Sequence, residues 1–221
     1  MPFKVKVGIA ICLLLLLAVL GFSYFQRDAD KYPKEVSRNL TNEDRKIFED
    51  RLAESRFKAE TTSGEEKFGW QMQVGYNLSA LGKLYDAENA FKQAIELKPD
   101  EQTGYSALFQ VQYDRGNYEE ANKNIKTAIE KDEKNPDLRR KYIFLQQDKL
   151  NASNEKLDQL YIEALRATDS NVDIITVYAE YLERVGNLPK AIEYWKQAIT
   201  LNSKNKALYQ AEIVRIEKLV K

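Results

Sequence analysis

Apolar residues recur with helical spacing from about residue 68 onward, and the pattern repeats along the chain. The heptapeptide FKQAIEL at residues 91–97 returns as WKQAITL at residues 195–201. Four columns of residues share steps of 34, 36 and 34: Ala94, Ala128, Ala164 and Ala198; Ala87, Ala121, Leu157 and Ala191; Phe91, Ile125, Tyr161 and Trp195; and Gly82, Gly116, Ala152 and Gly186. This period, with small and large residues at fixed places, predicts stacked helix–turn–helix units and no strands.

The copies share further positions, which identify a family. The first copy has Val74 and Gly75 in its first helix, Gly82 at the turn and Pro99 at its end, and it resembles a tetratricopeptide repeat (TPR). The resemblance divides the chain into repeats 68–101, 102–135, 138–171 and 172–205, with a two-residue insertion near residues 134–136. It implies an all-α fold, a TPR-like right-handed superhelix of about four repeats within a TPR domain at 68–221. A capping helix at 205–220 is expected to turn four residues inward: Leu208, Ile213, Ile216 and Leu219.

The N-terminal part of the chain has a different character. Residues 7–25, VGIAICLLLLLAVLGFSYF, contain no charged side chain. As a helix this run is about 28 Å long, close to the thickness of a bilayer's hydrocarbon core, and it predicts a transmembrane helix after a short tail at 1–6. Gly21 and Ser23 are spaced like a cleavage site, so a signal peptide is the alternative. Lys4 and Lys6 favour a cytoplasmic N-terminus for a single-pass protein, which places the repeats outside the cytoplasm.

Three segments connect the apolar run to the repeats. Residues 26–40 are polar, contain Pro33 and lack periodicity, which predicts a tether. Residues 41–60 predict a charged helix that starts at Thr41 and carries one narrow stripe: Phe48, Leu52, Ser55 and Ala59. The stripe favours a helix that packs on the first repeat or forms a stalk. A dimerising coiled coil is less favoured, because it needs more heptads than this segment contains. Residues 61–67 predict a linker.

Composition excludes several classes of function. Lysine plus arginine and aspartate plus glutamate both number 34, so no basic excess indicates a nucleic-acid partner. The chain has no histidine, and its only cysteine is Cys12, so the usual zinc ligands and the commonest general base are missing. No phosphate-binding loop or nucleophile motif appears. We therefore expect no enzymatic activity, no cofactor, no metal and no small-molecule substrate.

The TPR resemblance also indicates where partners bind. In that family the first helix of each repeat lines a concave groove, and its polar and aromatic residues hold an extended peptide or a helix. The resemblance implies eight candidate partner-binding residues: Met72, Gln73, Tyr76, Gln110, Tyr113, Asp114, Tyr142 and Glu180. The lysine, asparagine and arginine set with which some TPR domains grip acidic chaperone tails is absent from repeats one, two and four.

These features together predict a membrane-tethered TPR scaffold or adaptor that binds partner proteins or peptides in envelope assembly or protein biogenesis. Two alternatives remain open at the level of sequence. One is a secreted or periplasmic TPR binding module released by signal-peptide cleavage. The other is a structural subunit that self-associates through its repeats or through the helix at 41–60.

Overall fold

Consecutive antiparallel helices make up the fold in a computed structural model that describes residues 31–219. Within this range the chain forms ten α-helices and no strand: α1 (Asn42–Thr61), α2 (Gly64–Ala80), α3 (Leu84–Leu97), α4 (Gln102–Asp114), α5 (Tyr118–Lys131), α6 (Pro136–Asp148), α7 (Asn154–Ala167), α8 (Val172–Arg184), α9 (Leu188–Leu201) and α10 (Lys206–Glu217). A 3₁₀ turn, Ser203–Asn205, precedes α10. The prediction of an all-α chain of helix–turn–helix repeats is confirmed for this range.

The predicted transmembrane helix or signal peptide, residues 7–25, lies outside the described residues. Among the helices of residues 31–219, none combines the length and the hydropathy that crossing a bilayer requires.

The described chain divides into two compact units. Unit 1 contains residues 31–99 and Gln110–Asn117, and unit 2 contains Asp100–Phe109 and residues 118–219. In unit 1, α2 packs against both α1 and α3. In unit 2, the hairpins α6–α7 and α8–α9 pack in chain order between α5 and α10.

The residue columns that predicted the repeats form the core. Every member of the alanine column at positions 94, 128, 164 and 198 is at most 1% exposed. Phe91, Ile125, Tyr161 and Trp195 are at most 5% exposed and fill the space beside these alanines. Gly75 shows why a small residue is needed, because a Cβ atom there would overlap the ring of Phe91. Small residues let the backbones approach, and large residues fill the space that remains.

The first helix of each repeat ends in a short turn that needs a left-handed residue. Gly82, Gly116 and Gly186 have φ of 79°, 80° and 81°. In the first of these turns, the backbone N–H of Lys83 donates to the carbonyl oxygen of Leu78 at 2.9 Å, which satisfies a carbonyl at the helix end. The third repeat differs: its left-handed residue is Asn151, with φ of 50°, and not Ala152.

The two-residue insertion lies inside this third turn. The other turns comprise residues 81–83, 115–117 and 185–187, whereas residues 149–153 connect α6 to α7. The prediction of an insertion near residues 134–136 is therefore wrong, and α6 already begins at Pro136. Asn135 caps α6 by accepting from the backbone N–H of Leu138, so the proline occupies the first turn, where its missing N–H has no cost. The first-helix positions that the sequence assigned to the third repeat therefore lie two residues too far along the chain.

The segments before the repeats are more ordered than predicted. The side chain of Thr41 caps α1, as expected, and Leu52, Ser55 and Ala59 are buried while Phe48 is half-buried. The stripe of α1 packs on the first repeat, where the Asn77 amide donates to the Ser55 hydroxyl at 3.2 Å. The predicted linker at 61–67 shortens to Thr62 and Ser63, because α2 starts at Gly64.

The described part of the predicted tether, residues 31–40, is docked on the repeat helices and turns of its own unit, unit 1. The backbone N–H of Val36 donates to the carbonyl of Gly82 at 2.9 Å, and the backbone N–H of Tyr85 donates to the carbonyl of Lys34 at 2.9 Å. The Nε of Arg115 donates to the carbonyl of Pro33 at 2.9 Å. Extended backbone and two repeat turns thus hold this segment, which corrects the prediction of a tether for residues 31–40.

The C-terminal helix also differs in its inward face. Ile213 and Ile216 are buried as predicted, but the third buried residue is Tyr209, whose ring lies 5.6 Å from that of Trp195. Leu208 and Leu219 are 59% and 62% exposed. Positions 209, 213 and 216 follow the helical repeat, whereas Leu208 is rotated away from them and Leu219 lies beyond the last helical residue.

Candidate partner-binding site

One position of the first helix is exposed in all four repeats. Its residues are Tyr76, Gln110, Phe144 and Glu180. Three of them were predicted, and Phe144, which is 53% exposed, was missed. The misplaced insertion assigned Gln146 to this position instead of Phe144. Placing the insertion in the turn after α6 would have identified it.

Two predicted residues lie elsewhere. Met72 is 5% exposed, so its side chain belongs to the core of unit 1 and is not available to a partner. Tyr142 lines a cavity of about 220 Å³ between α5, α6 and α7, together with Glu163 of the second helix of its repeat. The second helices α5 and α7 supply most of its lining, so Tyr142 lies on the side of α6 that faces them and not on the expected surface. The reason is again the shift of two residues.

In the first repeat, Gln73 and Tyr76 are exposed on α2. The Tyr76 ring packs edge-on against Phe91, with centroids 5.2 Å apart, and burial of this face raises the pKa of the phenol above its ordinary value. Tyr76 thus presents a rigid aromatic edge, because its ring is held by the core.

The predicted residues at the end of α4 already have partners within unit 1. Asp114 accepts from the guanidinium of Arg38 at 2.8 Å and from the amide of Gln110 at 2.9 Å. Tyr113 is half-buried beside them. The docked segment therefore uses part of the surface that the sequence assigned to a partner.

The fourth-repeat candidate, Glu180, lies in a larger cavity of unit 2. This α6–α8 cavity has a volume of about 440 Å³, within the size range of ligand sites. Nine residues line it: Arg140, Lys141, Ile143, Phe144, Gln147, Tyr161, Val177, Glu180 and Arg184. First helices of two successive repeats form its sides, and Tyr161 comes from α7 between them.

The charges of the α6–α8 cavity are unequal. Arg140, Lys141 and Arg184 are cationic, and Glu180 is the one acidic lining residue. Burial raises the pKa of Glu180, the neighbouring carboxylates Glu212 and Glu183 raise it further, and Arg184 opposes them. At neutral pH the cavity carries a positive excess beside an apolar floor.

The floor is fixed by the core beneath it. Tyr161 is 5% exposed and stacks on Tyr178, with ring centroids 4.8 Å apart. Burial raises the pKa of Tyr161 to about 12, so its hydroxyl stays neutral. The site can therefore bind by packing and by charge.

Comparison with known proteins agrees with this fold. A family model described as tetratricopeptide repeat matches residues 67–212. The crystal structure of MamA is similar, with a TM-score of 0.58, 14% identity, and coverage of 78% of this chain and 99% of that one. PilF of Pseudomonas aeruginosa has a TM-score of 0.53 at 18% identity, with coverage of 69% of this chain and 68% of PilF.

A third similar structure is TTC0263, a thermophilic TPR protein of Thermus thermophilus, with a TM-score of 0.52, 17% identity, and coverage of 78% of this chain and 88% of that one. No curated protein sequence matches the chain. At these identities the structural similarities concern the fold alone. Because the family model covers well over half of the sequence, the chain belongs to the tetratricopeptide repeat family.

Proposed function

We propose that this protein is a scaffold that binds segments of partner proteins along the first helices of its repeats. TPR repeats generally mediate protein–protein interactions, and the α6–α8 cavity is the observation that carries the proposal. It places exposed Phe144 and three cationic side chains around an apolar floor. Such a surface suits side-chain packing and charge pairing with a polypeptide. In this proposal the repeats form a right-handed superhelix with these helices on its concave side, and the protein acts by binding without catalysis.

We propose further that residues 7–25 tether the scaffold to a membrane. The uncharged run of 19 residues and the basic tail before it support this proposal. The N-terminus then lies in the cytoplasm and the TPR domain outside it, where the protein serves envelope assembly or protein biogenesis. Alkaline extraction of membranes tests the tether, because an integral protein stays in the pellet and a cleaved one is released.

Self-association is the second candidate function, and the C-terminal helix favours it. Leu208, Val214 and Leu219 are 59%, 42% and 62% exposed near or on the outer face of α10. Large exposed apolar side chains can contribute to an interface with a second copy of the chain. Sedimentation of the detergent-solubilised protein decides, since a monomer over the accessible concentration range excludes this function.

Site-specific photocrosslinking in membranes tests the scaffold proposal. Photoreactive groups replace Tyr76, Gln110, Phe144 and Glu180 in turn, and groups at Lys123 and Lys196 serve as controls on exposed faces of second helices. We expect the same partner protein at two or more of the first-helix positions and none at the controls. Equal recovery at both sets of positions would refute a specific groove.

A further inference from the structure

The α6–α8 cavity has a chemical preference that its lining residues define. Phe144 stands at its rim, while Ile143, Val177 and the ring of Tyr161 supply an apolar floor. Ile143 and Tyr161 are at most 5% exposed, so the floor is fixed by the core. A bulky apolar side chain that enters the cavity gains contact with a surface that does not need to rearrange.

The cations of the cavity have incomplete compensation from their own neighbours. The guanidinium of Arg184 donates to the side-chain oxygen of Gln147 at 2.8 Å, and the ammonium of Lys141 donates to the hydroxyl of Ser106 at 3.3 Å. Both hydrogen-bond acceptors are neutral, and the attraction between Arg184 and Glu180 offsets one of the three positive charges. Arg140 lies 3.2 Å from Asp137, in an ion pair exposed on both sides and therefore weak. Positive charge thus remains available to an incoming anion.

Glu180 limits which anion fits. Its carboxylate lines the same cavity as the three cations, and it has Glu183 and Glu212 as acidic neighbours. A phosphodiester chain or an anionic membrane surface would present many negative charges to this carboxylate. A single acidic side chain can instead approach the arginines and the lysine while it avoids Glu180. The chain also has no net charge to attract a polyanion.

We infer that the α6–α8 cavity takes a partner polypeptide in which an acidic side chain neighbours a bulky apolar one. The acidic group pairs with Arg184 and Lys141, and the apolar group packs on Phe144 and Val177. This inference rests on the proposed scaffold function and specifies the partner segment at one site. The selectivity arises from the combination, since the cations alone would accept any anion and the floor alone any apolar group.

Binding of defined peptides to the full chain in detergent tests the inference. Fluorescence anisotropy compares a labelled peptide with a central Asp-Phe-Glu-Leu sequence against Lys-Phe-Lys-Leu and Asp-Ala-Glu-Ala peptides of the same length. We expect the first to bind at least about tenfold more tightly than either control, and more weakly as salt increases. Equal binding of the three peptides, or no binding, overturns the inference.

Substitutions locate the binding on the protein. Arg184→Glu and Lys141→Glu should each weaken the Asp-Phe-Glu-Leu peptide at least about tenfold, because they place like charges in contact. Lys196→Glu, on the exposed face of α9, is the matched control and should leave binding unchanged. Glu180→Gln should strengthen binding several-fold, a gain that misfolding cannot mimic. Loss of binding in Glu180→Gln, or equal loss in the control, overturns the inference.

Two further comparisons test whether the cavity binds other anionic ligands, and whether the inference and the proposed function can fail independently. Phosphatidylserine vesicles and a single-stranded oligothymidylate should show no binding that depends on Arg184, and a dependence equal to that of the peptide overturns the inference. If photocrosslinking recovers partner proteins while the peptides show no preference, the scaffold function stands and the inference fails. If the peptides bind as expected while crosslinking recovers nothing, the cavity preference stands and the scaffold function fails.

Discussion

Arg115 and Glu88 form an ion pair in which the two side chains are only 3% and 7% exposed. Arg115 begins the turn after α4, the first helix of the second repeat, and Glu88 belongs to α3. Arg115 also binds the carbonyl of Pro33, and Glu88 has Lys92 as a second cationic partner at 2.7 Å. One buried pair therefore connects the docked segment, a repeat turn and a second helix within unit 1.

Removal of one partner from this pair should be costly. We expect Glu88→Ala to lower the free energy of unfolding by about 3–5 kcal/mol, because the Arg115 guanidinium stays buried without its anion. Urea denaturation followed by circular dichroism measures the change. The exposed Glu193→Ala is the control and should stay within about 0.5 kcal/mol of wild type. A loss below about 1 kcal/mol for Glu88→Ala would show that water reaches the pair.

The same carboxylate should make stability depend on pH. Burial alone would raise the pKa of Glu88, but the hydrogen bond and charge of Lys92 and the charge of Arg115 outweigh it, so the pKa lies below its ordinary value of 4.5. The ionised group then contributes stability above the unfolded pKa, and the contribution is lost as pH falls through the folded pKa. The stability difference between wild type and Glu88→Gln should shrink from pH 7 to pH 3. A constant difference would contradict this origin.

Gly82 and Gly186 allow the docking of residues 34–36 to be measured. Both have nearly the same positive φ, but a Cβ at Gly82 would overlap the carbonyl oxygen of Val36, whereas nothing lies within 4 Å at Gly186. Gly186→Ala should cost about 1–2 kcal/mol for the left-handed backbone alone. Gly82→Ala should cost at least about 1 kcal/mol more, because it displaces a segment held by backbone hydrogen bonds.

Urea denaturation gives both values, and limited proteolysis reports the segment directly. Gly82→Ala should expose the bonds near residues 34–36 to cleavage, while Gly186→Ala should not. Equal costs and equal cleavage in the two variants would show that the segment adds no stability to unit 1.

Two glycines of α2 should respond in opposite directions. Gly75→Ala places a methyl group into the ring of Phe91 and should destabilise the protein by about 1–3 kcal/mol. Gly69→Ala meets nothing within 4 Å and should stabilise by about 0.5–1 kcal/mol through helix propensity. In a Phe91→Leu background the Gly75→Ala cost should largely disappear. Persistence of the full cost there would exclude the ring as its cause.

The core positions could be predicted from the sequence, because close packing determines which size of side chain fits at each position. Alanine at positions 87, 94, 121 and 128 recurs because neighbouring backbones approach closely, and such columns are visible without coordinates. The insertion was harder to place. Extra residues before α6 or after it produce the same spacing in the second helices, and only the first helices distinguish the two cases. For this reason Tyr142 was assigned to the partner-binding surface and Phe144 was missed.

Two kinds of feature could not be predicted from the sequence: contacts made by backbone groups, and the direction in which a side chain points around its helix axis. Residues 34–36 bind through N–H and carbonyl groups, which leave no pattern of side chains. The inward choice of Tyr209 over Leu208 depends on where α10 begins after the 3₁₀ turn. The α6–α8 cavity collects Arg140, Lys141 and Arg184 from two helices, so its charge is not apparent along the chain.

The contact between Pro33 and Arg115 limits how far unit 1 can lie from a bilayer if residues 7–25 span it as proposed. Only eight residue steps separate Phe25 from Pro33, and a fully extended chain of that length reaches about 28 Å. The attached edge of unit 1 would then stay within a thin layer above the lipid headgroups. Partner proteins would then have to be embedded in that membrane, or lie close to its surface, to be bound.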